Sequence, residues 1–523
     1  MIAVSNDWKK VNKEYLLPET FVEISVGIAD VGIQDYLTTT GENEAVFSNT
    51  VAVIGNVNTF LTKYATLEHN LWVLDGSNKI LPNTGPYNTP GYANDGGLGA
   101  SVTLSSSVVR STPIPGFTIT WSSEYDEYAT DFTIEVKNGN TVVASKRVTN
   151  NTSVVSSVEM DVVDYDTVTV TVHGWSLPDR RVRLEGVTFG FSVTFNKNDI
   201  LAYSHEQSGC LNSGELPKNS INFTLDNSDG KWNPYNPAGI GKYLMERQLV
   251  SVRYGMIVNG VVEWIKAGRF YLSEWKAPSN GLEATFSARD AFEFLLNSKA
   301  DSNSTGTLAE LVNLAASKDL PVDVYVVVDS RLKNYSASHT NDLTRAEVIQ
   351  KCANAAQCVI RCDRDGNINI EPLNITPTDY RIEAALAYSH PELTLSKQLR
   401  EISVSYGDNL SYVLAVENSG ETQTVDNSFV TTENQATEIA TWVRDVLQSR
   451  KTLSGEFRAD PRLDVFDVVS VESKYGVIFP VAITNLRYNY SGAFRATYTG
   501  KVIPSQGADN VCGCFVVGKS ILG

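Results

Sequence analysis

Apolar and polar residues alternate with a period of two along most of this chain, which is the spacing of β-strands rather than of helices. In FTIEVKNGNTVVASKRV (132–148), alternate residues are apolar, Asn138-Gly139 supplies a turn, and a second run follows. The run MDVVDYDTVTVTVHGW (160–175) has the same alternation. Strand-like blocks with Gly or Asn-Gly turns continue over 200–295, 355–410 and 455–503. The pattern therefore predicts a mainly β protein.

Helical spacing is confined to a few short segments. TRAEVIQKCANAAQ (344–357) opens with Thr344 and Glu347, a capping box that predicts a helix start. Its apolar face includes Cys352, which we interpret as a small core residue. A second helix is predicted in TENQATEIATWVRDVLQSRK (432–451), where Thr432 and a glutamine at 435 have the spacing of a capping box. A third, weaker helix is predicted in TLAELVNLAAS (307–317).

A chain of 523 residues is too long for one core and predicts several domains. We expect a mainly β, multidomain protein with β-barrel or β-sandwich domains, two or three short helices, and a jelly-roll-like sandwich near the N-terminus. The boundaries that the pattern favours are 1–44 for N-terminal strands, 45–195 for the sandwich, 196–300 for a β-rich domain, 301–380 for a small α+β domain, 381–503 for a second β-rich domain with one helix, and 504–523 for a tail.

The charge balance limits the class of partner. The chain carries 43 Lys and Arg against 60 Asp and Glu, a net charge of −17. Affinity for duplex DNA comes from cations that neutralise phosphates, so this surface is not expected to wrap DNA. There is no apolar run long enough to span a membrane and no signal-peptide pattern, so we expect synthesis in a reducing cytoplasm with free thiols.

No motif points to catalysis, a cofactor or a metal. GCFVVGKS (513–520) fits the P-loop pattern, but only Ile521, Leu522 and Gly523 follow it, whereas a phosphate-binding loop needs a helix there. Cys352, Cys358 and Cys362 have a spacing that matches no common zinc pattern, and buried thiols are the alternative. YSHEQSGC (203–210) brings a histidine and a cysteine together, but neighbours in an extended segment point to opposite faces. We therefore expect no enzyme activity, no cofactor and no metal.

Three stretches of the chain carry a common signal. They are SGELPKNSINFTLDNSDGKWNPYNPAGIGKYLMERQLVSVRYGM (213–256), which continues into 268–296, the helix and hairpin of 344–373, and the helix, strand and Asp-Pro-Arg-Leu-Asp segment of 440–473. Together they resemble one family, the tail hub or baseplate hub proteins of tailed bacteriophages and prophages. The resemblance covers 195–503 and rests on the order and spacing of the three.

This resemblance implies a structural virion protein at the tail tip, assembled in the host cytoplasm. It implies a homotrimeric ring of β-domains that closes the tail tube and provides a channel for the tape measure and the genome. The implied partners are the distal tail protein, the tape measure and tip or fibre proteins, with DNA passing through without specific binding. An acidic channel wall would repel phosphate and suit this role.

The segment 45–195 resembles a galactose-binding-like, discoidin-type β-sandwich in its strand number and its two ends. Many such modules bind glycans by stacking aromatic rings on sugars, which implies a host cell-surface polysaccharide as a further partner. The candidate residues are Trp72, Asp75, Tyr87, Tyr92, Trp121, Tyr125 and Tyr128. The alternatives are that Trp72 and Trp121 belong to the sandwich core, and that the whole segment is a purely structural decoration. A carbohydrate-binding adhesin is accordingly the second function that the sequence supports.

Overall fold

The computed structural model describes residues 1–14, 19–33, 36–41, 51–54, 57–60, 92–93, 100–122, 125–177, 181–182, 184, 186–278, 281–301, 303–321, 324–339, 342–407 and 410–503. Most of these residues lie in strands, which confirms the mainly β fold class. The strands, in chain order, are β1 Thr20–Ala29, β2 Leu37–Gly41, β3 Val51–Ile54, β4 Val57–Phe60, β5 Tyr92–Ala93, β6 Ala100–Arg110, β7 Ile114–Thr120, β8 Ala129–Asn138, β9 Thr141–Thr149, β10 Val155–Val162, β11 Tyr165–Trp175, β12 Arg181–Val182, β13 Gly186–Thr188, β14 Gly190–Phe195, β15 Ile200–Ser208, β16 Lys218–Asp226, β17 Leu249–Val258, β18 Val261–Lys276, β19 Glu283–Arg289, β20 Ser304–Thr307, β21 Val326–Val328, β22 Ser336–His339, β23 Val359–Cys362, β24 Ile368–Glu371, β25 Pro377–Ile382, β26 Glu392–Leu395, β27 Leu399–Tyr406, β28 Leu410–Ala415, β29 Glu421–Val425, β30 Lys451–Arg458, β31 Val468–Glu472, β32 Ile478–Tyr490 and β33 Phe494–Val502.

Four α-helices occur in the described ranges. They are α1 Asn6–Val11, α2 Leu308–Ala316, α3 Arg345–Ala355 and α4 Glu433–Leu447. The three predicted helices are present as α2, α3 and α4, whereas α1 was not predicted. No helix in the described part of the chain has the length and apolarity needed to cross a bilayer.

One thirteen-stranded sheet links the two halves of the chain. Its path is β14-β1-β17-β18-β19-β16-β15-β32-β33-β30-β26, with β31 beside β32 and β25 beside β31. We call β1 with β14–β19 the first β-domain, and β25, β26 and β30–β33 the second. The two meet where β15 pairs antiparallel with β32, from Tyr203 opposite Tyr490 to Ser208 opposite Asn485. We call this pairing the seam, and one apolar core lies on both sides of it.

A separate sandwich is inserted between β1 and β14, which are neighbours in the large sheet. Its two five-stranded sheets have the orders β10-β7-β13-β4-β3 and β2-β6-β11-β8-β9. They enclose a core of large aromatic and β-branched side chains. The chain returns to the large sheet at Gly190, where φ is +142° and an added Cβ would lie 2.0 Å from the carbonyl oxygen of Ile28. Only glycine fits this close backbone approach without displacement.

The helices α2, α3 and α4 form a second core with the small sheets β21-β24-β23 and β28-β27-β29. Thr307 and Thr344 are N-caps with reciprocal capping boxes to Glu310 and Glu347, and the box at Thr344 was predicted. At α4 the prediction was wrong in one respect. Thr432 caps the helix, but the side chain of Gln435 accepts from Thr431 N and donates to Ala355 O, so it ties α4 to α3 instead of closing a box.

A buried ion pair attaches the sandwich to the large sheet. Arg110, at the end of β6, donates from Nε and Nη2 to the carboxylate of Asp30 at 2.9 and 2.6 Å. The Asp30 side chain is fully buried and also accepts from Tyr165 Oη at 3.3 Å and from Gly32 N at 3.1 Å. Because Asp30 directly follows β1, this contact fixes the sandwich at its point of insertion.

We expect Arg110→Met to destabilise the sandwich by about 2 kcal/mol, because the buried Asp30 carboxylate then loses its cation. Urea unfolding followed by tryptophan fluorescence and limited proteolysis measures the effect. Arg147→Met is the matched control, since Arg147 makes an equally bidentate pair with Asp131 on the exposed face of the same sandwich. An exposed pair contributes little. Equal losses in the two variants would contradict a specific role for Asp30.

Candidate functional site

The Asp-Pro-Arg-Leu-Asp segment forms a compact buried loop between β30 and β31. Arg462 donates from Nε and Nη2 to its near neighbour Asp460 at 2.9 and 2.5 Å, and both side chains are almost completely buried. Tyr488 of β32 donates a hydrogen bond to the carbonyl oxygens of Asp460 and Leu463 at 2.9 and 2.8 Å. Hydrogen bonds from β32, one of the two strands of the seam, therefore hold the loop in place.

Arg364 enters this loop from the β23–β24 hairpin. Its Nε donates to both carboxylate oxygens of Asp464 at 3.0 and 3.1 Å. Nη1 donates to Lys266 O at 2.8 Å, and Nη2 donates to Pro461 O at 2.8 Å and to Leu463 O at 3.0 Å. Every nitrogen of the guanidinium is thus used, and one side chain connects both β-domains and the hairpin. We call the cluster of Arg364, Asp464, Gln207 and His205 the ionic junction.

Asp464 stays ionised although it is buried. Burial alone would raise the pKa of Asp464, but the Arg364 cation, the hydrogen bonds from Arg364 and a hydrogen bond from Gln207 hold that pKa below its usual value. Gln207 donates to Asp464 Oδ1 at 3.1 Å and accepts from Val465 N at 3.1 Å. Inside the junction, the Arg364 cation therefore balances the charge of the Asp464 carboxylate, and the oxygens of that carboxylate accept hydrogen bonds from Arg364 and Gln207.

His205 extends the junction along β15. Its Nε2 donates to Asn219 Oδ1 at 2.7 Å, which leaves Nδ1 to accept from Tyr254 Oη at 2.8 Å. Tyr254 in turn accepts from Tyr203 Oη at 2.8 Å. Burial lowers the pKa of His205 to about 4, against the hydrogen bond to Asn219, which raises it. The imidazole is therefore neutral at physiological pH.

The junction has the chemistry of a structural contact. His205 and Gln207 face the core while Glu206 is exposed, as the alternation predicted, and Cys210 lies beyond the strand, where its Sγ donates to Asn212 Oδ1 at 2.8 Å. In this segment, the Cys210 thiol bonds to Asn212 and the His205 imidazole to Asn219 and Tyr254, so the two are not paired as nucleophile and base. Over the described ranges, no group of three or more His, Cys, Asp or Glu side chains is placed to bind a metal ion.

Two of the three cysteines that were considered for zinc, Cys352 and Cys358, are buried, and Cys362 is partly buried. Cys352 lies on the core face of α3, as predicted, and Cys358 follows that helix. Burial raises the pKa of Cys358 to about 12, so its thiol is protonated and a poor metal ligand. The P-loop-like segment 513–520 and Cys512 lie outside the described residues.

The aromatic candidates for glycan binding are only partly described. Trp121 is fully buried, donates from Nε1 to Ser156 Oγ at 3.0 Å, and packs edge-on against Phe132 with ring centroids 5.0 Å apart. Its ring has no face free for a sugar, which agrees with the alternative of a core residue. Tyr125 and Tyr128 lie in the connection between β7 and β8 and are half-buried.

The remaining candidates lie outside the part of the chain whose side chains are described. Trp72, Asp75 and Tyr87 are outside the described residues altogether, and Tyr92 is placed only as part of the backbone of β5. A glycan site in 45–195 therefore stays a prediction.

The ionic junction was not predicted from the sequence. DRDGN (363–367) was predicted only as part of the hairpin in 344–373, and the Asp-Pro-Arg-Leu-Asp segment only as part of 440–473. Both form turns, and Arg364 and Asp464 of these turns pair across 100 residues. A signal was available in the sequence, because each turn carries an arginine between acidic residues. Nothing in the local spacing, however, indicates that the two turns meet.

No protein-family model and no curated protein matches this sequence. Among solved structures, a 43 kDa tail protein of prophage MuSo2 from Shewanella oneidensis is similar at 13% identity and a TM-score of 0.43, over 58% of this chain and 93% of that chain. The tail protein from Neisseria meningitidis MC58 is similar at 14% identity and a TM-score of 0.41, over 58% and 92%.

Prophage tail protein gp18 from Listeria monocytogenes EGD-e is similar at 12% identity and a TM-score of 0.40, over 60% of this chain and 92% of that chain. TM-scores of this size lie below the level at which a shared fold is inferred. These three solved structures, to which this chain is similar at low identity, are tail proteins.

Proposed function

We propose that this chain is a structural virion protein of a phage tail tip or baseplate. In this proposal it is a homotrimeric hub that closes the tail tube and provides the channel for the tape measure and the genome. The observation that carries the proposal is the ionic junction. Arg364 and Asp464, which belong to the second and third stretches of the hub resemblance, pair there, and Asn219 and Tyr254 of the first stretch bind His205 of the same buried cluster.

A contact of this kind suits a part that must stay rigid. Breaking a buried, fully hydrogen-bonded ion pair leaves an unpaired charge in the core, so such a pair resists partial opening of the seam. Backbone hydrogen bonds between β15 and β32 of the thirteen-stranded sheet also join the two β-domains. The wall of a tube through which DNA passes must resist opening of the seam, and it has no need of a flexible cleft.

The proposal assigns the chain no catalytic role. The buried polar groups of the junction are already paired with one another and with neighbouring groups. Its proposed partners are two further copies of itself, the distal tail protein, the tape measure and tip or fibre proteins. The net charge of −17 supports passage of DNA without specific binding.

Light scattering behind size-exclusion chromatography tests the oligomeric state. We expect a mass near three times the 57.3 kDa of one chain, and a ring with a central opening in negative-stain electron microscopy. A strict monomer at high concentration, in the presence as well as the absence of the distal tail protein, would overturn the proposed hub. In that case a glycan array with the full chain would test the adhesin alternative.

A further inference from the structure

The large sheet ends in an open edge strand, β26. This strand pairs with β30 on one side, and no other strand in the described ranges pairs with its outer edge. Its residues, Glu392 to Leu395, are all exposed. The opposite edge of the sheet, β14, contacts the inserted sandwich, where Thr118 Oγ1 donates to Gly190 O at 2.9 Å. An open edge presents unpaired backbone N–H and C=O groups that can pair with a further strand.

Two leucines make this edge apolar as well as open. Leu393 lies directly opposite Leu453 of β30, so both side chains are on the face of the sheet that carries the core. Leu453 is 1% exposed, whereas Leu393 is 46% and Leu395 59% exposed. The core face therefore continues to the last strand, where the described residues leave it uncovered. Native proteins usually protect an apolar edge of this kind with a covering segment or with charges.

The chain leaves the sheet close to this edge. Lys501 of β33 lies opposite Thr452 of β30, which in turn lies opposite Thr394 of β26, so the three residues form one row. Both β33 and β26 end one residue beyond this row. Because both are antiparallel to β30, a segment that followed β33 and turned back along the outer edge of β26 would run antiparallel to β26.

The residues after β33 have the length and composition that this path requires. Three strand spacings, about 14 Å in total, separate β33 from a strand placed beyond β26. The linker PSQGADN (504–510) can span up to about 24 Å, and its Pro, Gly, Asn and Asp residues are typical of loops. The run VCGCFVV (511–517) follows, with the apolar, β-branched and aromatic residues that favour a strand. Both segments lie outside the described residues.

The charges agree with this path. Lys501 is partly buried, and no carboxylate in the described ranges pairs with it. Asp509 is the one acidic residue of the tail (504–523), and it lies in the linker that passes the row of Lys501 on the way to β26. An ion pair between these two side chains would give the partly buried cation a partner.

We propose that 511–517 pairs antiparallel with the outer edge of β26 in the same chain and covers its leucines. Alternate residues of a strand point to opposite faces. When Phe515 packs against the leucines on the core face, Cys512 and Cys514 therefore lie on the other face, beside Thr394. This inference goes beyond the proposed hub and does not depend on it, because a monomer and a trimer could both carry the contact.

The native cysteines of the tail provide a test in the full chain that distinguishes the two faces. Thr394→Cys places a thiol on the face expected for Cys512 and Cys514. Under copper phenanthroline, two thiols lose two protons and two electrons to oxygen and form a disulfide. We expect this disulfide within one chain, identified by mass spectrometry after non-reducing digestion. Glu392→Cys, two residues earlier on the same face, detects a pairing that is shifted along the strand.

The controls decide which segment occupies the edge. Leu395→Cys is the matched control, because its thiol lies on the core face and should not cross-link to either tail cysteine. Adding Cys512→Ser and Cys514→Ser should abolish the cross-link. Equal cross-linking of Leu395→Cys and Thr394→Cys, or none from Thr394→Cys and Glu392→Cys, would overturn the proposal. Covalent dimers on non-reducing gels would also overturn it, because the tail of a second copy would then occupy the edge.

A second measurement does not depend on cysteine chemistry. Phe515→Asp places a charge against the exposed leucines, so we expect the outward-facing amides of β26 to exchange their hydrogens about tenfold faster or more. Ser520→Asp is the matched control, because it adds the same charge outside 511–517 and should leave this exchange unchanged. Hydrogen-exchange mass spectrometry measures both, with β30 as the internal reference. Equal exchange of β26 in wild type and Phe515→Asp would exclude a tail that covers this edge.

Discussion

Replacement of Arg364 by methionine is expected to lower the free energy of unfolding by about 3–5 kcal/mol, the loss seen when one partner of a buried ion pair is removed. The reason is the environment of Asp464. Without Arg364 its carboxylate stays buried with Gln207 as the remaining side-chain donor among the described residues. The carbonyl group of Pro461 loses its Arg364 donor, whereas that of Leu463 keeps the hydrogen bond from Tyr488. Urea unfolding at neutral pH, followed by circular dichroism, measures the loss.

Two further variants decide whether charge burial is the cause. Lys266→Met is the matched control, because Lys266 pairs with Asp365 in the same hairpin but at an exposed position, and we expect little change. Adding Asp464→Leu to Arg364→Met removes the unpaired charge and should restore part of the stability. A double variant that is less stable than Arg364→Met would indicate that packing, rather than charge, accounts for the loss.

The repeating elements could be predicted because their signals are local. Alternation over 132–136 and 168–172 correctly placed Phe132 and Val170 in the sandwich core. The capping box at Thr344 correctly gave the start of α3, because its two hydrogen bonds lie within one helical turn. In the β8–β9 hairpin, however, Asn138 pairs with Thr141, so the turn is Gly139 with the following residue, one position later than predicted.

The interactions that join the elements could not be predicted in the same way. The ionic junction depends on residues that are distant in the sequence, such as Gln207 and Asp464, which are separated by 257 positions. Local patterns indicate that a residue is buried, but not which other buried residue it meets. The β15–β32 seam and the contact between Asp30 and the sandwich likewise join residues that are distant in the sequence.

Buried titratable groups predict a pH dependence in which two groups act in opposite directions. The pKa of His205 is lowered by burial to about 4, from 6.5. As pH falls, the unfolded chain therefore binds a proton near pH 6.5, whereas the folded chain binds it only near pH 4. The free energy of unfolding therefore decreases as pH falls through this range. At 1.36 kcal/mol per pKa unit the loss is up to about 3 kcal/mol.

Asp290 has the reverse effect. It is the N-cap of the short helix Ala291–Phe294, and burial raises its pKa from 3.8 to about 7, against hydrogen bonds from Cys362 and Phe292 N. The folded chain therefore holds a proton that the unfolded chain has released, and stability rises as pH falls from about 7 towards 3.8. Between pH 4 and 6.5 the two contributions have opposite signs. A wild-type free energy of unfolding that does not change with pH is therefore compatible with both contributions.

Single substitutions should separate the two slopes. His205→Gln keeps an uncharged hydrogen-bonding group and removes the acid-labile contribution, so the stability of this variant should increase relative to wild type as pH falls from 6.5 to 4. Asp290→Asn keeps the N-cap and should show the opposite relative trend. His390→Gln, at an exposed site, is the control for loss of a histidine. The measurement is urea unfolding at half-unit pH intervals. A difference between His205→Gln and wild type that stays constant over this range would show that His205 is not held neutral at the seam, because a neutral buried imidazole must lose stability in proportion to the protons that the unfolded chain gains.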